Sequence, residues 1–164
     1  METSEPGVLE TDAVLIRELR PEDLGRVVRI DAQQGGRPRS EYYQRKLEEA
    51  LAATPRVSLA AELDGAVVGF LLGRLYYGEF GLPEPTAVID SIGVDPAFEK
   101  RHVGAALMRQ LVGNLRSLGI ESIRTEVEWD ARDLVAFLAR QGFRPAPRLC
   151  LELRLAAPHS RRTP

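Results

Sequence analysis

Apolar residues recur along this chain with two periods, and the switches between them mark the elements. Val14-Leu15-Ile16-Arg17-Glu18-Leu19 predicts a first strand. Pro21-Glu22-Asp23 opens a helix with proline in its first turn, and Leu24, Val27, Val28 and Ile30 give it one apolar face. The run Gln33-Gln34-Gly35-Gly36-Arg37-Pro38-Arg39 breaks it, and Ser40 caps a second helix reaching about Ala53. Residues 56–63 and 66–77 read as strands joined at Asp64-Gly65, a strong hairpin pair. A loop over 78–85 leads to a mostly apolar, hence central, strand at 87–94. Val103, Ala106, Leu107, Leu111, Leu115 and Leu118 form the stripe of a long amphipathic helix ended by Gly119. A strand over 120–128 follows, then a helix capped by Asp130 and ended at Gly142, then a closing strand or strand pair from Phe143 through 148–155. The order β-α-α-β-β-β-α-β-α-β implies an α/β fold, a mixed sheet covered by helices.

Length and composition narrow the class. At 164 residues the chain suits one domain, here 13–156, between flexible tails at 1–12 and 157–164. A net charge of -2 gives no basic field to draw it to nucleic acid. One cysteine, Cys150, excludes an internal disulfide, and with only His102 and His159 beside it no conventional metal site is expected. Cys150 itself reads as a small hydrophobe rather than a nucleophile. No run reaches the ~18 apolar residues of a membrane span. The first twelve residues lack the apolar core of a signal peptide, so the expected location is cytoplasmic.

The chemistry concentrates after the central strand. Val94-Asp95-Pro96 ends it, Lys100 and Arg101 form a cationic turn, and a helix begins near Gly104. Such a junction offers unpaired backbone N–H groups and the positive end of a helix dipole, which suits a phosphate or pyrophosphate. The Gly-x-x-x-x-Gly-Lys-Ser/Thr loop is absent, and a Gly-x-Gly-x-x-Gly turn is not found at the first strand.

Taken with the element order, Val94-x-Pro96, Gly104 and Leu107-Met108 resemble the GNAT superfamily of acyl-CoA-dependent N-acetyltransferases. Phe137-Leu138-Ala139-Arg140-Gln141-Gly142-Phe143 extends the likeness, which covers roughly 15–155. The resemblance implies a mixed, mostly antiparallel central sheet, splayed between two central strands, with helices on both faces. Counted from Val94, the family's Gln/Arg position falls on Glu99 and its first glycine on His102, with Gly104 kept; the register Arg101-x-x-Gly104-x-Ala106 also satisfies the pattern. A Cβ at a lost glycine blocks close approach to phosphate or resists positive φ. Lys100 and Arg101 offset this with charge. The tyrosine that often serves the family as general acid is Leu138, and the asparagine commonly preceding it is Ala131.

The resemblance further implies acetyl-CoA as cosubstrate and an amine as acceptor, with no metal, no nucleic acid and no membrane; a homodimer is an open option. Ile92, Gly93 and Val94 would hold the pantetheine arm, and Lys100, Arg101, His102, Val103, Gly104, Ala105 and Ala106 the pyrophosphate. A neutral amine attacks the thioester directly, with a backbone donor such as the Ile92 N–H stabilising the oxyanion. Asp90 and Glu126 or Glu128 are candidate bases, the two glutamates on one face of their strand. Tyr76 and Tyr77 are candidate acids or acceptor-site walls, and the loops 34–39 and 78–85 would flank that site. The rival to an acetyltransferase is a catalytically idle acyl-CoA-binding or regulatory module, favoured by Glu99, His102, Ala131 and Leu138. A third reading is a structural subunit that pairs through an exposed strand edge. Trp129 fits either core or cofactor cover.

Overall fold

The structure is a computed structural model, in which residues 14–78, 81 and 83–155 are described. The expected tails at 1–12 and 157–164 lie outside them, as does part of the 78–85 loop. Five strands form one sheet in the order of the chain: β1 (Leu15–Glu18), β2 (Leu59–Leu63), β3 (Ala66–Tyr76), β4 (Thr86–Val94) and β5 (Ser122–Thr125). The first three pairings are antiparallel, and β5 runs parallel to β4. Asp64 and Gly65 turn the β2–β3 hairpin, both at positive φ.

Helices cover both faces because the strands alternate apolar side chains to each. On one face lie α1 (Leu24–Gly35) and α2 (Ser40–Ala52). Val27, Ile30, Tyr43 and Leu47 from these helices bury against Ala60, Phe70 and Leu72. On the other lie α3 (Val103–Ser117) and α4 (Arg132–Arg140). Val103, Leu107, Leu111 and Leu115 of α3 pack there on Leu59, Ala61, Leu71 and Ile89, with Phe137 of α4 at the margin. Pro21 begins a 3₁₀ turn that feeds α1, and Gly36 ends it at φ 77°. Arg17 ties β1 to this turn through Asp23 at 2.8 Å and to β2 through Glu62 at 2.7 Å.

The structure corrects several sequence expectations. The strand foreseen over 120–128 is hydrogen-bonded only at Ser122–Thr125, because β4 offers no partner past Ile89. Glu126 and Glu128 therefore lie beyond the strand and are exposed, and the shared strand face expected of them does not exist. The closing strand is not formed: residues 143–155 carry no ladder, and 144–155 are exposed throughout. Ala131, not Asp130, is the N-cap of α4, since the Ala131 N–H bonds back to Glu128 and the chain turns once more before the helix starts. The long helix starts at Val103 with His102 as its N-cap, one residue ahead of the glycine. Trp129 is 99% exposed, so it is not core. No helix among the described residues is long and apolar enough to cross a membrane.

Candidate active site

The sheet opens where its two parallel strands part. Pairing of β4 with β5 stops at Ile89 and Thr125. Asp90, the next residue, is a bulge: Gly73 of β3 faces Ile89 and Leu72 faces Ser91, so Asp90 has no partner. The bulge bends β4 away and starts the gap. Past it, the Asp95 N–H donates to the Val68 carbonyl at 2.8 Å. Antiparallel ladders alternate, so the main chains of Gly93 and Ser91 also face β3. Those of Ile92 and Val94 face the gap. Gln34 donates to the Val94 carbonyl at 3.0 Å from the end of α1.

The turn after β4 is held from below. The Asp95 side chain accepts from the Ala97 N–H at 3.0 Å and starts a 3₁₀ turn over Pro96–Arg101. Arg26 of α1 grips the other Asp95 oxygen at 2.9 Å and the Val67 carbonyl at 2.9 Å. His102 then takes φ 58°. A Cβ resists that conformation at a cost of roughly 1–2 kcal/mol, so the position wants the glycine that the resemblance places there. The His102 side chain caps nothing. The first bond closing α3 runs from the Ala106 N–H to the His102 carbonyl at 3.0 Å. The N–H groups of Val103, Gly104 and Ala105 precede it and point out of the helix end. Exposed Lys100 and Arg101 flank them, Arg101 lying 5.5 Å over the Phe98 ring. This end of α3 reaches the sheet because Gly69 lacks a side chain: a Cβ there would stand 2.8 Å from Val103 Cγ1. Gly104 has a different use from the one its motif suggests. A Cβ there would lie 3.1 Å from the Phe137 ring of α4, so the glycine admits that ring.

A polar cluster lies on the α1–α2 face beside the bulge. Tyr43 Oη donates to Asp31 Oδ1 at 2.8 Å and lies 2.9 Å from Ser91 Oγ. Arg39 closes the set, with Nε 2.9 Å from Asp31 Oδ2. Burial raises the Tyr43 phenol well above its ordinary value; the Ser91 hydroxyl opposes this and the Asp31 carboxylate adds to it. For Asp31 burial acts upward, but the bonds from Arg39 and Tyr43 outweigh it and hold the carboxyl below the usual range. Asp23 is lowered in the same way, its burial offset by Arg17 and the Arg20 N–H. Folded values below unfolded ones mean that the unfolded chain binds more protons in acid. Stability is therefore full above the ordinary carboxylate value of about 4 and falls as pH drops through the lowered folded values. The urea midpoint should fall between pH 6 and pH 3, and fall less in the Asp23→Asn/Asp31→Asn double variant. Equal acid losses in both proteins would contradict this.

Asp90 and Tyr76, both expected from sequence, are joined by an unforeseen residue. Arg74 pairs with Asp90 at 2.9 Å and stacks 4.9 Å over the Tyr76 ring. Tyr77 is 62% exposed at the strand end. Glu128 is exposed, three residues past the end of β5. Leu138 is buried at 5% exposure and can act only as core. Sequence reading missed Asp31, Arg39, Tyr43, Ser91 and Arg74. The one available signal was Asp31 itself, an acid beside Ile30 on the apolar face of its helix. Among the described residues no His/Cys/Asp/Glu group could hold a metal ion.

Comparison with known proteins bears on this geometry. Residues 24–143 match the family model described as Acetyltransferase (GNAT) family. No curated protein matches the chain in sequence. Among solved structures, Ard1 from Thermoplasma volcanium shares 28% identity at TM-score 0.67, over 80% of this chain and 82% of that one. The aminoglycoside N-acetyltransferase AAC(6')-Iy, solved with CoA, superposes at TM-score 0.73 with 18% identity, over 91% of this chain and 99% of that one. A ribosomal-protein-alanine N-acetyltransferase from Brucella melitensis biovar Abortus 2308 gives 0.68 with 21% identity, over 87% of this chain and 100% of that one. At 18% and 21% identity the last two speak for the fold.

Proposed function

The chain belongs to the GNAT acetyltransferase family, and from that premise we propose that it moves an acetyl group from acetyl-CoA to a primary amine. The observation that carries this reading is the end of α3: outward N–H groups at Val103, Gly104 and Ala105, with Lys100 and Arg101 beside them, at the mouth of a splayed sheet. Helix N-termini favour anions, and this one faces the gap in which an extended arm would lie. The residues suit CoA: the α3 amides and the two cations for its diphosphate, and the Ile92 and Val94 main chains, with Gly93 between them, for its pantetheine. Acetyl-CoA supplies the acetyl group as an activated thioester.

The remaining work falls to the protein. Asp90 and, farther out, Glu128 draw an ammonium group to the gap. One Asp90 oxygen is held by Arg74, so the other takes the proton from the amine, directly or through water. The neutral amine would attack the thioester carbonyl, the Ile92 N–H would stabilise charge developing on the acyl oxygen, and the C–S bond would break to release CoA as its thiolate, which takes up the proton left on the new amide nitrogen. Tyr76, under the Arg74 guanidinium, lines the acceptor side. The acceptor class spans small amines, peptide N-termini and lysine side chains.

One observation favours the idle module instead. Leu138 fills with hydrocarbon the position where the family often has a tyrosine, and its burial leaves no room for a substitute there. Calorimetric titration with acetyl-CoA, followed by thiol release over aminoglycosides, peptides with free N-termini and lysine peptides, separates the two. Binding with turnover on any of these amines supports acetyl transfer. Binding without turnover leaves the idle module, and no binding removes both.

A further inference from the structure

One arginine beside the gap differs from those that brace the fold. Arg17 spends its Nε on Glu62 at 2.7 Å, Arg26 on the Val67 carbonyl at 2.9 Å and Arg39 on Asp31 at 2.9 Å. Each of these three also places a terminal nitrogen on an acid. Arg74 gives one terminal nitrogen, Nη2, to Asp90 Oδ1 at 2.9 Å. Its Nε is covered from solvent and has no partner, the only buried side-chain nitrogen or oxygen so placed among the described residues. Native folds rarely leave a buried donor unpaired, and such an atom calls for a partner from outside the chain.

The place of Arg74 in the sheet indicates that partner's chemistry. It stands on β3 two residues past Leu72, so alternation puts it on the α1–α2 face with Phe70 and Leu72. That face also carries Tyr43 and Ser91 beside the bulge. The Arg74 guanidinium lies 4.9 Å over the Tyr76 ring, which fixes its plane. The side chain is 37% exposed although Nε is covered, so the exposure falls on its other atoms. Asp90 in turn uses one oxygen on Arg74 and keeps the other for the amine. Cation and anion therefore stand side by side at the acceptor end of the gap, each with capacity unspent. An acceptor with an ammonium group alone satisfies the Asp90 half. One that also carries a carboxylate on the next carbon satisfies both, because a guanidinium matches the two carboxylate oxygens. A peptide N-terminus or a protein lysine side chain has no carboxylate so placed.

We propose that Arg74 is a specificity-determining residue that receives a carboxylate of the acceptor, and that the acceptor is a free α-amino acid rather than a peptide, a protein lysine or an aminoglycoside. The inference rests on the acetyl-transfer reading above and narrows its acceptor.

The test is thiol release from acetyl-CoA with free L-amino acids, each run beside its carboxamide. The two differ by one charge. A carboxylate makes the neighbouring ammonium harder to deprotonate, so amine reactivity alone favours the carboxamide. The inference predicts the reverse: at least one amino acid should exceed its carboxamide by about tenfold or more in kcat/KM, the effect of one charge-assisted bond, and mostly through KM. Arg74→Gln should erase that ratio, and Arg74→Lys should keep part of it because the charge remains. The ratio is the readout, since any disturbance of Asp90 or of folding slows acid and amide alike and cancels. Carboxamides, peptides or aminoglycosides turned over as well as the amino acids would overturn the inference and leave acetyl transfer standing. So would a preference for the acid that survives Arg74→Gln, which would seat the carboxylate on another residue. CoA binding without turnover of any amine would overturn the inference and acetyl transfer together.

Discussion

Ala105→Glu should raise thermal stability slightly while lowering CoA affinity by about 10- to 100-fold. Residue 105 is the third of α3, at the end where backbone N–H groups lack acceptors. A carboxylate there interacts favourably with the helix dipole, by roughly 0.3–1 kcal/mol. The same negative charge stands where the diphosphate must sit. Two like charges about 4 Å apart repel by about 4 kcal/mol at an effective dielectric of 20. Solvent screening leaves part of that, and each 1.4 kcal/mol is about tenfold in affinity. Calorimetry and a melting curve on the same sample read both effects. Ala105→Gln is the control, matching size without charge and keeping most of the affinity. Equal losses in the two variants would assign the effect to bulk, and unchanged affinity in Ala105→Glu would place the anion elsewhere.

Gly93→Ala carries the second large effect, on stability. A Cβ at residue 93 would stand 2.6 Å from Phe70 Cε1, 3.0 Å from its Cζ and 3.3 Å from Ile30 Cγ2. Phe70 has nowhere to go: it is 1% exposed and meets the Tyr43 ring edge-on at 5.7 Å. Overpacking of this kind costs about 1–3 kcal/mol. Phe70→Leu alone is also destabilising, but combined with Gly93→Ala it should recover part of the loss, because the smaller side chain makes room. Urea denaturation of the four proteins gives the coupling, expected at about 0.5–3 kcal/mol in the favourable direction. Strict additivity would mean that β4 shifts to accept the methyl group. Because Tyr43 leans on Phe70 and bonds Ser91, strain at residue 93 reaches the Asp31–Tyr43–Ser91 cluster beside the bulge.

How much of this was legible in the sequence differs by residue. The hairpin at Asp64-Gly65, the central strand and the amphipathic helices announced themselves through local period and turn chemistry, and they stand where expected. The family resemblance rested on the same local features and is borne out by the family match over 24–143. The closing strand had a clear alternating pattern and still formed no ladder. A pattern states that a segment can be a strand, while pairing depends on a partner elsewhere. The strand ending at Thr125 fell short for the same reason, because its neighbour bends away at Asp90. Positive φ at His102 could be read from the motif, since that position wants glycine. The ion pair from Arg74 to Asp90 could not, for it depends on how a bulge turns one carboxylate toward the next strand. Gly104 looked like part of a phosphate turn, and only the three-dimensional packing reveals the Phe137 ring pressed against it.

The most direct measurement is a titration of isotope-labelled protein with CoA, followed by backbone amide resonances. The largest shifts should fall on Val103, Gly104 and Ala105 and on Ile92 across the gap, and the α3 amides should move little when CoA is replaced by a pantetheine lacking the diphosphate. Saturable CoA binding that leaves those α3 amides unmoved, or that moves them equally without the diphosphate, would contradict an anion held at the start of α3.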